Sequence, residues 1–324
     1  MAQENIAQLN TINTPQGRSL GAEAWLRLTK NRAAVAGIII IAMFALISVL
    51  APVLAPHSPL EIFKSSSYLP PPWFKSDLKE GDPRFFLGTD SIGRDVLSRL
   101  IYGTRVSMVV GLIPTAVILL VGTIVGMVSG YFGGNLDNIL MRVTDVIYAF
   151  PDLLFFIIVM VALREKPIGQ FMNGLFLLFM ALAIVNWVGV ARLVRGQVLS
   201  LKQKEFVEAA RCIGVKDSRI MFRHILPNCL GPLIVSAAFT IPGLIITEAI
   251  LGYLGVGLRP ATELAGNYFI TSWGVLLLDG GGAINSQPFI LLAPAICIAI
   301  VVLSFTFLGD GLRDALDPRM RGTQ

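Results

Sequence analysis

The sequence predicts an all-α polytopic membrane protein with six transmembrane helices, and three observations carry that reading. Of 324 residues, 54% are hydrophobic and 15% charged, with a mean hydropathy of +0.71, far from the balance of a water-soluble globular chain. Six apolar runs, near 33–55, 106–132, 146–163, 167–191, 229–256 and 287–309, approach or exceed the roughly 20 residues that cross a bilayer core as helix. Basic residues gather in short polar stretches between them. Without water in the hydrocarbon, a helix satisfies its backbone within the segment, and these runs are too long for barrel strands.

Residues 1–32 place Arg18, Arg27, Lys30 and Arg32 against Glu23 ahead of the first span, so this segment is expected to be cytoplasmic. The run 33–55 is too long for a cleavable signal peptide and is not cleanly followed by a small-residue cleavage site. Residues 56–104 then fall outside. Their charges nearly balance: Lys64, Lys75, Lys79, Arg84, Arg94 and Arg99 against Glu61, Asp77, Glu80, Asp82, Asp90 and Asp95. Ser65-Ser66-Ser67 and Pro70-Pro71-Pro72 forbid regular helix at the start of this segment. Its end predicts an amphipathic helix over 91–102, with Ile92, Val96, Leu100 and Ile101 as one stripe. Asp90–Arg94 and Asp95–Arg99 stand four apart, a spacing at which they pair, and such a helix is expected to lie in the membrane interface.

Residues 105–309 hold the other five spans, and 310–324 form the expected cytoplasmic tail. The third span carries Asp152 directly after Phe150-Pro151, a position for a kink. The fifth carries Glu248, too costly in lipid to face anything but the bundle interior or water. One reading makes Glu248 a carboxylate on a substrate path; the other, given more weight, makes it a structural acceptor. Between spans five and six, Gly257, Gly266, Gly274, Gly280 and Gly281 with Trp273 show no assignable period.

The stretch 192–228 interrupts the apolar pattern most sharply. Arg192, Arg195, Lys202, Lys204, Arg211, Lys216, Arg219 and Arg223 stand against Glu205, Glu208 and Asp217, a net +5. So basic a loop between two spans belongs on the cytoplasmic side, where six spans from an inside N-terminus also put it. It reads as two short helices broken at a glycine. Ser200-Leu201-Lys202-Gln203 has the form of a capping box. Phe206, Ala209, Ala210 and Ile213 share one face at helical spacing. Gly214 suits the left-handed residue that ends a helix, and Asp217 is placed to cap the next. The second helix turns Ile220, Met221, His224 and Ile225 to its apolar side and is expected to stop at Pro227.

The order Glu208-Ala209-Ala210, Gly214, Leu226-Pro227 resembles the EAA loop of ABC-importer permeases, with His224 where the general pattern has isoleucine. The ending from Arg223 to Asn228 resembles the peptide-transport branch. So do the Gly-Thr-Asp and Gly-Arg-Asp of Gly88–Asp90 and Gly93–Asp95, and Ser129-Gly130-Tyr131-Phe132-Gly133-Gly134. Arg195-Gly196-Gln197, Leu251-Gly252-Tyr253-Leu254-Gly255-Val256-Gly257 after Glu248, and Gly309-Asp310-Gly311-Leu312-Arg313-Asp314-Ala315-Leu316-Asp317-Pro318 extend the likeness toward oligopeptide permease C subunits. Coverage is weakest over 1–20 and 60–83.

The resemblance implies a type I importer of the bacterial cytoplasmic membrane. Its parts are two homologous permeases, two ATPase subunits and an external peptide-binding protein. Glu208, Ala209, Ala210, Gly214, His224, Leu226 and Pro227 form the ATPase-coupling element, and peptide crosses by alternating access. Dipeptide, nickel and antimicrobial-peptide import are alternatives within it. The chain has no Gly-x-x-x-x-Gly-Lys-Ser/Thr loop, so ATP and Mg2+ are assigned to the ATPases and no cofactor to this chain. It also lacks the His-Glu-x-x-His and Gly-x-Ser-x-Gly of membrane hydrolases. His57 and His224 have no neighbours at metal-ligand spacing. The net charge of +5 sits where membrane topology puts it and calls for acidic headgroups rather than nucleic acid. A single-chain secondary transporter predicts more mid-membrane ionisable groups than Asp152 and Glu248. A purely receptor or structural role leaves the loop spacing without a reason.

Overall fold

The computed structural model describes residues 20–74, 79–259, 261 and 268–317; Arg18, Lys75, Asp77, Gly266 and Pro318, named above, lie outside them. Helix α1 (Leu20–Lys30), which the sequence reading left unassigned, meets α2 (Arg32–Leu54) at Asn31. The Asn31 side chain accepts the N–H groups of Ala33 and Ala34 at 3.1 and 3.2 Å, capping the first span. Helix α3 (Val96–Phe132) runs for 37 residues, about 55 Å, well past a bilayer core of ~30 Å. Helices α4 (Gly134–Tyr148) and α5 (Asp152–Leu163) follow, then α6 (Leu175–Leu201), α7 (Glu205–Cys212) and α8 (Asp217–Tyr253). A short helix α9 (Trp273–Gly281) precedes the last span, α10 (Phe289–Leu316).

Among the described residues, five helices are long and apolar enough to cross a membrane, and a sixth crossing exists if the bent pair α4–α5 counts as one. That pair corrects the third expected span. Its two helices meet at 77°, and α5 alone has 12 residues, about 18 Å, short of the core thickness. The break falls where Phe150-Pro151 predicted it, with Pro151 at the N-cap of α5 and Asp152 exposed in its first turn.

The expected interfacial helix over 91–102 does not exist as a separate element. Its C-terminal part is the first two turns of α3, because nothing between Tyr102 and Val106 interrupts the helix. The one candidate breaker, Gly103, lies flush against Trp273, where a Cβ would come within 3.0 Å of the indole. Asp95 does not pair with Arg99; it caps α3 by accepting the Ser98 N–H at 2.9 Å. Arg99 turns instead to Asp90 and to Asp279 of α9, each at 2.7 Å, while Arg94 holds Asp90 at 2.7 Å as its spacing foretold. This ion cluster fastens the segment before α3, together with α9, to the head of α3.

The most extensive helix pairing is α3 on α6, and glycine makes it possible. Gly122, Gly126 and Gly130 recur every four residues on α3. A Cβ at each would lie 2.6 Å from Val190, 2.4 Å from the Ala191 carbonyl and 2.9 Å from Val198 of α6. Small residues at this spacing let backbones approach where lipid provides no hydrophobic drive between helices. On the opposite flank, Gly37 of α2 abuts the Ser304 carbonyl, and Gly311 of α10 abuts Ala34. The spans predicted to end at 191 and 309 continue as helix to Leu201 and Leu316, taking Arg192, Arg195, Asp310 and Arg313 beyond the apolar run.

Candidate functional site

The polar stretch predicted over 192–228 contracts, once α6 and α8 are extended, to α7 and its two connections. Ser200 lies in the last turn of α6 and caps nothing; Lys204 takes the N-cap of α7 without a side-chain bond, so the capping box is overturned. Gly214 has φ +76°, as its position demanded. Its N–H reaches the Arg211 carbonyl at 2.9 Å and the Val215 N–H reaches the Ala210 carbonyl at 3.1 Å, the paired closure of a Schellman motif. The chain then turns into α8. Here Lys216, not Asp217, is the N-cap, and Asp217 accepts a hydrogen bond from the Tyr131 hydroxyl at 2.5 Å. The expected stop at Pro227 is also absent. A π-turn over Met221–Ile225 widens the helix just before it, and α8 continues through Pro227.

Helix α7 has two unlike sides. Val207 and Ala210 are buried, and with Val215, Ile220, Met221 and Ile225 they pack onto Met127 and Tyr131 of α3 and Val194 and Val198 of α6. Phe206, Ala209 and Ile213 point away from the bundle, with Ile213 80% exposed. The expected common face of Ala209 and Ala210 is therefore split. Ala210 holds α7 to its own chain, and Ala209 lies on an outward apolar crest flanked by exposed Glu205, Glu208 and Arg211. The sequence reading put 206, 209, 210 and 213 on one face; the bundle claims Ala210 together with Val207, which that reading did not single out, and leaves the other three outside.

Beneath α7 stands a polar base that the sequence reading missed. Arg195 of α6 forks Asp137 of α4 through two bonds of 2.6 Å, Ser129 of α3 donates to the same carboxylate, and Lys202 donates to the Gly130 carbonyl at 2.9 Å. The guanidinium of Arg211 stands 5.3 Å over the Tyr131 ring. Arg195 is 58 positions from Asp137, beyond the reach of any helical periodicity. His224 is half-buried and its carbonyl accepts from Asn228 at 2.7 Å; Leu226 is partly buried and Pro227 exposed. Next to this end, Gln197, Asn228, Ser236, Phe239 and Arg313 line a cavity of about 710 Å³ between α6, α8 and α10.

Glu248 of α8 is fully buried in the bundle, as its cost in lipid required. The Ser107 hydroxyl of α3 donates to its Oε2 at 3.4 Å and accepts the Trp273 N–H of α9 at 3.3 Å. Gly274 leaves the space, since a Cβ there would lie 3.0 Å from Glu248 Oε1. The carboxyl thus sits where α3, α8 and α9 meet. Among the described residues no group of three His, Cys, Asp or Glu side chains is arranged to hold a metal ion.

This arrangement is a bundle of membrane-spanning helices with one short helix, α7, docked across one end of it. Residues 122–322 match the family of binding-protein-dependent transport system inner membrane components, and residues 19–71 match the N-terminal transmembrane domain of oligopeptide transport permease C. The chain belongs to this family of multi-pass inner-membrane permease subunits. It is 39% identical over 303 residues to the oligopeptide transport system permease protein OppC of Bacillus subtilis, covering 94% of this chain and 91% of that one. It is 40% identical to OppC of Escherichia coli K12, covering 94% and 93%. To the dipeptide transport system permease protein DppC of Haemophilus influenzae it is 38% identical, covering 92% and 95%. Among solved structures, a chain of the MetNI methionine ABC transporter in an inward-facing conformation superposes with a TM-score of 0.54 at 17% identity. The match covers 68% of this chain and 97% of that chain, a likeness of fold.

Proposed function

We infer that this chain is one of two permeases in an ATP-driven importer of oligopeptides. Two ATPase subunits work from the cytoplasm and a peptide-binding protein delivers cargo from outside. The observation that carries the coupling role is the crest of Phe206, Ala209 and Ile213, presented outward by a helix whose other side is locked into the bundle. ATP and Mg2+ belong to the ATPases, and this chain makes and breaks no bonds. Closure of the ATPases moves α7, and the rigid joint at Gly214 and Tyr131–Asp217 passes that motion into α3, α6 and α8. The spans then alternate between outward and inward openings. Both chain ends lie in the cytoplasm on this reading, with 56–95 and 257–287 toward the binding protein. Near-equal identity to OppC and DppC relatives makes dipeptides the second cargo.

Disulfide trapping in the assembled transporter tests this function. A cysteine at Ala209 is expected to cross-link to an ATPase groove in a nucleotide-dependent way, and one at the exposed Lys64 to react only with reagent added outside. Uptake by this chain alone, without ATPases, would favour an ion-driven carrier and overturn the assignment.

A further inference from the structure

The amphipathic helix before the first span has three sides, and the described residues of the protein account for two of them. Leu28, buried, and Ala24, partly buried, pack against Leu308, Leu312 and Ala315 of α10. Glu23, Arg27 and Lys30 form the polar side, with Arg27 and Glu23 paired at 3.5 Å. The third side shows Trp25 60% exposed and Leu26 41% exposed, with Thr29 between them on the helical wheel. Helix α1 ends at Lys30 and α2 begins at Arg32, so the exposed Trp25 and Leu26 stand within two turns of a membrane-spanning segment. An indole and a leucine at that level belong at the boundary of headgroups and acyl chains.

We propose that α1 with the first residue of α2 forms a binding site for acidic glycerophospholipids of the cytoplasmic leaflet. Trp25 and Leu26 enter the acyl boundary, while Lys30 and Arg32, both exposed, meet the phosphate of the headgroup. Charge complementarity and attachment to the span select this occupant over a protein partner. The acidic groups nearest in the fold do not cancel it. Glu23 is occupied by Arg27, and Asp310 and Asp314 lie on the side of α10 away from the Leu308–Leu312–Ala315 face that receives α1, as their helical spacing requires. The site explains how a helix with so much exposed apolar surface stays docked: bundle and lipid each take one face.

Hydrogen–deuterium exchange of residues 20–32 tests it, using the full chain in nanodiscs of phosphatidylcholine alone or with added phosphatidylglycerol. Exchange is expected to slow several-fold with the acidic lipid and to lose that difference at ~0.5 M salt, where surface charges are screened. The double substitution Lys30→Gln and Arg32→Gln removes about fivefold of lipid preference per charge. Trp25→Ser raises exchange in both lipids. Lys64→Gln, a basic residue of the segment 56–95, leaves the difference intact. Equal exchange in the two lipids, or an undiminished lipid effect in the Lys30/Arg32 variant, overturns the site. Neither readout involves transport, so its failure leaves the importer assignment standing.

Discussion

Arg105 of α3 donates from Nε to the backbone carbonyl of Ser48 in α2 at 2.8 Å, and its Nη2 reaches the Val49 carbonyl at 3.3 Å. Ser48 is four residues before Pro52, the residue whose missing N–H leaves that carbonyl without its helical partner. The guanidinium, stacked 4.0 Å from the Tyr268 ring centroid and 5.1 Å from that of Tyr102, is thus the donor the proline withholds. Arg105→Leu is expected to cost about 1–3 kcal/mol by orphaning a buried acceptor, with further loss from the ring contacts. Thermal unfolding of the detergent-solubilised chain measures it. Pro52→Ala in the same background restores the helix's own donor and is expected to recover part of the loss.

The glycine ridge on α3 makes an opposite pair of predictions. Gly126→Val pushes a branched side chain into the Ala191 carbonyl, only 2.4 Å from where its Cβ would sit, and is expected to separate α3 from α6. Overpacking of this kind costs about 1–3 kcal/mol or more. Gly243→Ala, on α8 with nothing within 4 Å, is expected to be neutral or slightly stabilising. Equal melting temperatures for the two variants would remove the ridge as an organising contact.

Replacing each alanine of the loop separately tests the two-sided reading of α7. Ala210→Asp buries a charge among Val207, Ile220 and Ile225 and is expected to lower the stability of the chain itself by several kcal/mol, seen as a fall in Tm. Ala209→Asp, on the exposed crest, is expected to leave Tm unchanged while ATPase association or coupled transport falls at least tenfold. The converse pattern would assign the wrong side to the ATPase.

Gly214→Val places a β-branched residue at φ +76°, a conformation that costs about 1–2 kcal/mol for a side chain of that kind. No atom stands within 4 Å of the added Cβ, so the cost is in the backbone alone. Gly214→Asn, tolerant of this region, is expected to retain more coupling than Gly214→Val at equal expression. Transport per assembled complex is the readout.

What was legible in advance divides along physical lines. Long apolar runs report their environment directly, so five of the six spans, the Pro151 break and the burial of Glu248 were visible in one dimension. Gly214 was visible because a left-handed turn has few candidate residues. The helix ends were not, since Leu201, Pro227 and Leu316 depend on tertiary packing and on a π-turn that no local propensity announces. The Asp137–Arg195 and Asp279–Arg99 pairs join residues 58 and 180 positions apart, and spacing rules stop after one helical turn. Spacing matched Asp95 with Arg99, but the backbone Ser98 N–H took it because the helix begins there.

Glu248 decides between a structural and a path-lining role. Its carboxyl is enclosed by Ser107, Ser272 and the α9 backbone at Trp273 and Gly274, and the contacts that reach it come from hydroxyls rather than a guanidinium or ammonium. A neutral amide of the same shape keeps the oxygen that accepts from Ser107 and needs no counter-charge. Glu248→Gln is therefore expected to keep both Tm and transport near wild type. Glu248→Ala leaves a void and an unmatched hydroxyl, and is expected to lose about 2–4 kcal/mol together with the docking of α9. Exchange protection of residues 273–281 follows the loss segment by segment. Abolished transport in Glu248→Gln with an unchanged Tm would show instead that the charge itself is needed, and would move Glu248 from the scaffold to the path of the cargo.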